Sequence, residues 1–173
     1  MKGVYWGLFN PPHKGHMRRI KQLSKRVDLL IIAIGSAQEK NTARNPFSGK
    51  ERAKMLNDYL KEERVDRKCV KIIAVKDGKS YRSSFKNLAR KTGGFDVLFS
   101  DKKSLDFVPQ KTGIKLAKAK RSGSISSTKI RKAIAEGMKW KHLTGRSVAK
   151  IIKEAKGIKR VKKAWMQKKR RRK

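Results

Sequence analysis

Residues 28–34 read Asp-Leu-Leu-Ile-Ile-Ala-Ile, and this almost unbroken apolar run constrains the fold more than any other feature of the chain. A strand with such a sequence must be covered on both faces, which is typical of parallel sheets flanked by helices. A shorter apolar strand at residues 3–8 and a helical pattern at residues 14–26 precede it, so the three segments predict a βαβ unit. The sequence therefore predicts an α/β fold.

The loop between that first strand and helix carries two of the chain's three histidines. It runs from Gly7 to His16 and reads Gly-Leu-Phe-Asn-Pro-Pro-His-Lys-Gly-His. Because His13 and His16 lie three residues apart at the start of a helix, both side chains can face one ligand, and the N–H groups there favour an anion. We expect a phosphate site at this loop; the alternative is a surface turn with two unrelated histidines.

Further strands and helices extend the pattern. Ser48 followed by Glu51 forms a capping-box pattern and predicts the start of a helix. The loop from Gly35 to Gln38 follows the apolar strand at the carboxyl edge of the sheet, where ligands of α/β proteins bind. The remaining predicted elements are a strand at 70–75, a helix at 82–91, a strand at 95–100 and a short strand at 114–117.

A second helix start, rich in small hydroxyl residues, lies at residues 122–131, which read Ser-Gly-Ser-Ile-Ser-Ser-Thr-Lys-Ile-Arg. Hydroxyl and backbone N–H groups at such a start bind anions, and Lys129 and Arg131 add positive charge in the first turns. An ordinary capped helix has the same features, because serine and threonine are favoured N-caps. Gly137 is expected to end this helix.

The end of the chain is predicted to be helical and strongly basic. Residues 138–158 keep an apolar stripe, whereas residues 159–173 hold ten basic residues and no acidic one. Such a run is typical of a solvated tail or of an arm that binds polyanions. We therefore divide the chain into a core at 1–137, a helical segment packed on it at 138–158 and a basic tail at 159–173.

The charge balance predicts affinity for polyanions. Lys and Arg number 49 against 13 Asp and Glu, which gives a formal net charge of +36. Nonspecific nucleic-acid binding through the basic surface and the tail is therefore expected.

The single Cys69 excludes an internal disulfide framework, and the absence of a signal peptide and of a membrane-length apolar run favours a cytoplasmic protein without a membrane partner. No cysteine or histidine spacing predicts a protein-bound metal.

The HxGH loop and the Ile-Ser-Ser-Thr-Lys-Ile-Arg helix start, in this order on a βαβ framework, resemble the signatures of the HxGH/ISSTxxR nucleotidyltransferase superfamily. Within it, the chain is most similar to the archaeal nicotinamide-nucleotide adenylyltransferases. This resemblance implies a Rossmann-like nucleotidyltransferase fold, with a parallel sheet, helices on both faces and a helical C-terminus. It extends over further stretches at 34–39, 45–47, 51–52, 95–97, 137–143 and 148–157.

The resemblance implies transfer of AMP from ATP to nicotinamide mononucleotide, with NAD and pyrophosphate as products. It implies catalytic roles at the reacting phosphates for His13, Lys14, His16 and Arg131. Mg²⁺ would arrive with ATP, no tightly bound organic cofactor is implied, and relatives often form homo-oligomers. The residues expected to bind ATP are Phe9, Asn10, Gly15, His16, Ser126, Ser127, Thr128 and Arg131.

The acceptor half of the implied site departs from the family pattern. Leu8 stands where the archaeal enzymes have an arginine, and Ser84 where they have a tryptophan that stacks on nicotinamide. The alternatives are therefore a related transferase for nicotinate mononucleotide, FMN or phosphopantetheine, and a degenerate transferase that binds RNA. The residues expected to bind the acceptor are Gly35, Ser36, Asn45, Pro46, Phe47, Asp77, Tyr81 and Phe85, the two aromatic rings of the last pair being substitutes for the missing tryptophan.

Overall fold

A computed structural model describes residues 1–100, 103–117 and 124–170. It contains a five-stranded sheet with the strand order β3-β2-β1-β4-β5, in which every neighbouring pair is parallel. The strands are β1 (Lys2–Gly7), β2 (Leu29–Ile34), β3 (Val70–Ala74), β4 (Val97–Phe99) and β5 (Lys115–Ala117). The predicted α/β fold with a parallel sheet is thus confirmed, including the short fifth strand.

Helices cover both faces of this sheet. They are α1 (Lys14–Ser24), α2 (Gly49–Glu62), α3 (Tyr81–Thr92), α4 (Phe107–Thr112), α5 (Ser127–Ala135), α6 (Arg146–Glu154) and α7 (Gly157–Arg170). Alternate residues of the strands point to opposite sides, because side chains alternate along a strand. Tyr5 and Ile32 therefore pack with α1, α2, α5, α6 and α7, whereas Val4 and Ile31 pack with α3 and α4.

The order of the strands places the ligand edge of the sheet. β1 lies in the centre, with β2 on one side and β4 on the other. The chain therefore reverses its direction of winding next to β1, and in open α/β sheets the crevice at the carboxyl ends of the strands at such a point binds ligands. Two loops meet there: residues 8–13, which connect β1 to α1, and residues 35–48, which connect β2 to α2.

The predicted capping box of α2 is present, because the Ser48 hydroxyl accepts a hydrogen bond from the Glu51 N–H (3.2 Å) and the Glu51 carboxylate accepts one from the Ser48 N–H (2.7 Å).

The short helix α4 was not predicted. It contains Pro109, which is tolerated there because the first turn of a helix needs no N–H donor. Residues 101–102 and 118–123, including the start of the predicted 122–131 motif, lie outside the described residues.

The basic segment at the end of the chain is a packed helix over most of its length. Helix α7 includes residues 159–170, and Val161 and Ala164 are buried against the core. The Arg160 guanidinium binds the Glu51 carboxylate and donates to the Pro46 carbonyl. The interpretation of residues 159–170 as a solvated tail is therefore wrong, because the buried Val161 and Ala164 and a partly buried ion pair attach them to the core. Residues 171–173 lie outside the described residues.

In the described ranges, no helix is both long and apolar enough to cross a membrane.

Packing of α7 predicts a contrast between neighbouring positions. Val161→Asp should lower the free energy of unfolding by about 2–4 kcal/mol, because it buries an uncompensated carboxylate. Lys162→Asp, at an exposed position of the same helix, should change it by less than about 0.5 kcal/mol. Urea denaturation followed by circular dichroism measures both values, and equal effects of the two substitutions would show that α7 is not docked.

Candidate nucleotide site

The loop from β1 to α1 is fixed by a buried amide. Phe9 has a positive φ of 50°, and the Asn10–Pro11 peptide bond is cis. The fully buried Asn10 side chain donates to the Asn45 side-chain oxygen and to the Phe47 carbonyl, both at 3.0 Å, and accepts from the Phe47 N–H at 3.2 Å. The β1–α1 loop and the β2–α2 loop are therefore held together by hydrogen bonds of the Asn10 side chain with the Asn45 side chain and the Phe47 backbone.

His13 and His16 lie together at the first turn of α1. Their rings are stacked, with centroids 3.7 Å apart and an angle of 29° between the planes. The His16 Nδ1 accepts a hydrogen bond from the backbone N–H of His13 at 3.3 Å, which directs its Nε2 away from the helix start. The Phe9 ring packs against His16 at a centroid distance of 4.9 Å. Packing thus fixes the orientation of both imidazoles.

The environment of His13 favours a neutral imidazole. Burial, followed by the charges of Arg18 and Arg19, lowers the pKa of His13 to about 4. Its Nδ1 is buried and has no hydrogen-bond partner among the described residues. A neutral imidazole still carries one N–H donor, so it can hydrogen-bond a phosphate oxygen. An anion bound beside it would favour the protonated form.

The start of α5 lies against the same loop. The Ser126 hydroxyl caps the helix by accepting from the Lys129 N–H at 3.2 Å, and the Ser127 hydroxyl donates to the Pro11 carbonyl at 2.9 Å. The N-termini of α1 and α5 therefore converge on residues 9–13. This convergence brings the predicted histidine and hydroxyl motifs into one site.

Arg131 closes this site from α5. Its guanidinium donates to the Asn10 carbonyl (2.8 Å), the Ala43 carbonyl (2.9 Å) and the Thr128 hydroxyl (3.2 Å). Burial and the nearby charge of Arg44 lower the pKa of Arg131 to about 10, so it stays cationic at neutral pH. A guanidinium has five N–H donors, and these bonds use three of them. Arg131 therefore binds both loops and keeps donors for an anion.

A cavity of about 240 Å³ lies beside the β1–α1 loop, at the carboxyl ends of β1, β2 and β3. Its base is ordered by Asp77, whose carboxylate accepts from the Ser36 N–H at 3.0 Å and from the Ser36 hydroxyl at 2.5 Å. Ser84 closes one side and accepts from the Gly78 N–H at 2.9 Å. The cavity is lined by Gly35, Ser36, Asp77 and Tyr81, which are predicted acceptor residues, and by Trp6, Arg44 and Ser84.

The other predicted acceptor residues do not line this cavity. Asn45, Pro46 and Phe47 are buried in the β2–α2 loop, where Asn45 and Phe47 bind Asn10. Phe85 packs in the core on the α3 side, with ring centroids 6.0 Å from Phe95 and 5.9 Å from Phe107. Buried backbone and core contacts therefore occupy these four side chains. Lys14 is exposed in the first turn of α1, and Gly15 follows it.

Trp6 is not among the residues predicted to bind a ligand, yet the structure places it in the cavity wall. A Cβ atom on Gly35 would lie 2.8 Å from the Trp6 Nε1, so only glycine leaves room for this indole. The sequence already indicated this position. Trp6 lies near the carboxyl end of β1, and in parallel sheets ligands bind at that end of the strands. Tyr81 stands at the mouth with half of its surface exposed.

Arg52 is a second residue that the sequence interpretation left without a role. It is fully buried and donates to the carbonyls of Leu8 (2.8 Å), Gly35 (2.8 Å), Ser36 (2.9 Å) and Ser48 (3.2 Å). Burial lowers the pKa of Arg52 to about 10, against the raising effect of nearby carboxylates. Its position three residues before Met55, on the apolar stripe of α2, indicates an inward side chain.

The described residues contain no cluster of three histidine, cysteine or acidic side chains that could bind a metal ion.

Comparison with known proteins identifies the class. A model of the cytidylyltransferase-like family matches residues 4–133, so the chain belongs to this family of nucleotidyltransferases. Similar proteins within it are nicotinamide-nucleotide adenylyltransferases. The Thermococcus kodakarensis protein is 32% identical over 163 residues, or 93% of this chain and 87% of the relative, and the Archaeoglobus fulgidus protein is 35% identical over 168 residues, or 93% and 95%. The resemblance inferred from the two motifs is confirmed.

A solved structure has the same fold. It is a bifunctional NMN adenylyltransferase/ADP ribose pyrophosphatase from Francisella tularensis, complexed with AMP and a Mn ion. Its TM-score is 0.68 at 19% identity, and the match covers 96% of this chain and 56% of that longer chain. At this identity the likeness establishes the fold alone.

The neutral state of His13 predicts a pH dependence of stability. Between about pH 6.5 and pH 4, the unfolded chain binds a proton at this position that the folded chain does not. The free energy of unfolding should therefore fall as the pH is lowered through this window, by about 3 kcal/mol from His13. His13→Asn should remove this part of the decline in urea titrations, whereas His142→Asn, at an exposed position, should keep the wild-type profile.

Proposed function

We propose that this protein transfers AMP from ATP to nicotinamide mononucleotide and produces NAD and pyrophosphate. The observation that carries the proposal is the convergence of two helix N-termini on residues 9–13, with His13 and His16 on one side and Ser127 and Arg131 on the other. Such helix starts bind phosphates, and two of them fit a triphosphate. The names of the archaeal relatives support the same reaction.

In the proposed reaction an oxygen of the acceptor phosphate attacks the α-phosphorus of ATP. The new phosphorus–oxygen bond replaces the bond between the α-phosphorus and its bridging oxygen, and pyrophosphate leaves with that electron pair. The protein supplies positioning and charge neutralisation, because this step needs no protein nucleophile. We assign His16 to the α-phosphate, His13 beside it, Lys14 to the reacting phosphates, and the α5 start with Arg131 to the β- and γ-phosphates. The proposed ATP site further includes Phe9, Asn10, Gly15, Ser126, Ser127 and Thr128.

The acceptor is proposed to bind in the cavity between Trp6 and Tyr81. An indole wall and a phenol at the mouth give a planar heterocycle two aromatic surfaces. Asp77 and Ser36 are hydrogen-bonded to each other in its lining, and Arg44 adds a positive charge to the same lining. In this proposal Trp6 provides the aromatic surface that Ser84 and Phe85 do not.

A divalent cation is proposed to accompany ATP, and Mg²⁺ is the expected ion. The related Francisella protein was crystallised with a Mn ion. A cation bound to the triphosphate would neutralise charge on the leaving pyrophosphate, with phosphate oxygens and water as its main ligands. His13, His16 and the α5 start would contact the same phosphates. Because ATP is the substrate, we propose a cytoplasmic location.

An acceptor panel tests the proposal. With ATP and Mg²⁺, nicotinamide mononucleotide should give NAD with a kcat/KM about tenfold or more above those of nicotinate mononucleotide, FMN and phosphopantetheine. Chromatography of the dinucleotide product measures each rate. Turnover of FMN or phosphopantetheine without NAD formation would instead assign the chain to a related transferase.

His16→Ala should lower kcat by about 10²–10³-fold, because it removes a donor to the charge that develops at the α-phosphate. His142→Ala is the matched control, since it removes the one histidine that lies outside the site and is exposed. Pyrophosphate release measures the rates, and circular dichroism checks the fold. A His16→Ala rate close to that of the control would contradict the assigned role.

A further inference from the structure

The outward side of α7 borders a groove of about 810 Å³, which we call the α7 groove. It extends from the end of α6 along α7, on the side opposite to the buried Val161 and Ala164. No acidic residue is among the described residues that line it. Its cations are Lys153, Lys156, Lys159, Lys162, Lys163 and Arg170.

The α7 groove continues into a second groove of about 930 Å³. The two share Lys163 and Gln167, and the second extends past Arg160 to Lys40 and Lys50 near the start of α2. Among the described lining residues of both grooves, Glu51 is the sole acid, and its carboxylate is bound to Arg160. The cations therefore form one track, and among its described lining residues only Arg160 has a carboxylate partner on the track.

The α6 end of the track lies close to a further cation. Lys153 contacts Lys141, which lines neither groove, and this contact lowers the pKa of Lys141. Such pairs repel each other, and an anion placed between them relieves the repulsion. Binding of a polyanion to this surface would therefore reduce the repulsion between these cations.

The shape and floor of the α7 groove favour one kind of polyanion. Ile158 and the 64% exposed Met166 lie between the lysines, so apolar surface alternates with charge. Unpaired bases can cover such a surface while their phosphates meet the lysines, whereas a duplex keeps its bases stacked inside. An anionic membrane would need a free apolar helix face, and that face of α7 is buried in the core.

We propose that the α7 groove binds single-stranded nucleic acid, with the lysines of α7 on its phosphates and Ile158 and Met166 beneath its bases. The inference does not depend on the adenylyl transfer reaction. α7 is about 21 Å long, from 14 residues at a rise of about 1.5 Å, which allows several successive phosphates to bind.

The test compares two variants of equal net charge. Lys159, Lys162 and Lys163 are changed together to Gln in the α7 groove, and the control changes Lys86, Lys91 and Lys111, exposed on α3 and α4 across the sheet, in the same way. Binding of a fluorescently labelled oligouridylate is measured by anisotropy at several salt concentrations. The groove variant should lose about 100-fold in affinity at about 0.1 M salt, and the slope of log K against log salt should fall by about 2.

The control variant should keep most of the wild-type affinity and slope. Equal losses in the two variants would overturn the proposal, because net charge alone would then explain binding. Tighter binding of a duplex of the same length, or binding of phosphatidylserine vesicles but not of the oligouridylate, would also overturn it. Met166→Ser, which leaves the charge unchanged, should weaken binding of the oligouridylate without changing the salt slope. Thermal melting confirms that the exposed substitutions leave the fold intact.

Discussion

The site depends on the interaction between buried guanidinium groups and backbone carbonyls of two loops. Arg52 binds the carbonyls of Leu8, Gly35, Ser36 and Ser48, and thereby joins the ends of β1 and β2 to the start of α2. These loops lack the regular hydrogen bonds of a strand or helix, and a buried carbonyl without a partner costs about 1–3 kcal/mol. One rigid side chain with five donors resolves this, which a lysine in its place could not do.

Arginines on α5 and α7 extend the same arrangement. Arg131 binds the carbonyls of Asn10 and Ala43, and Arg160 binds the carbonyl of Pro46. The β1–α1 loop and the β2–α2 loop are therefore held by cations that also leave the surroundings electropositive. This arrangement suits a site for anionic substrates, because the groups that order the backbone also attract phosphates before any substrate contact is made.

The parallel sheet, the order of its elements along the chain and the two motifs could be predicted from the sequence, because they depend on local periodicity and on capping. The capping box at Ser48 and the short fifth strand are examples. The contacts between side chains and backbone groups that are distant along the chain could not be predicted from the sequence. Asn45 and Phe47 resemble site residues along the chain, and only the fold shows that they bind Asn10. Likewise, the apolar spacing of Val161 and Ala164 is visible in the sequence, but only the fold shows that these two side chains dock α7 on the core.

The contact between Trp6 and Gly35 makes two positions of the cavity interdependent. Because β1 and β2 are adjacent and parallel, the indole at the end of one strand lies against the backbone just after the other. A side chain at Gly35 would have to displace the indole, whereas a smaller residue at position 6 would open space that position 35 could fill. The volume of this cavity is thus a joint property of the pair, and substitutions at the two positions will not be additive. A change in the shape of the cavity must therefore involve both positions together.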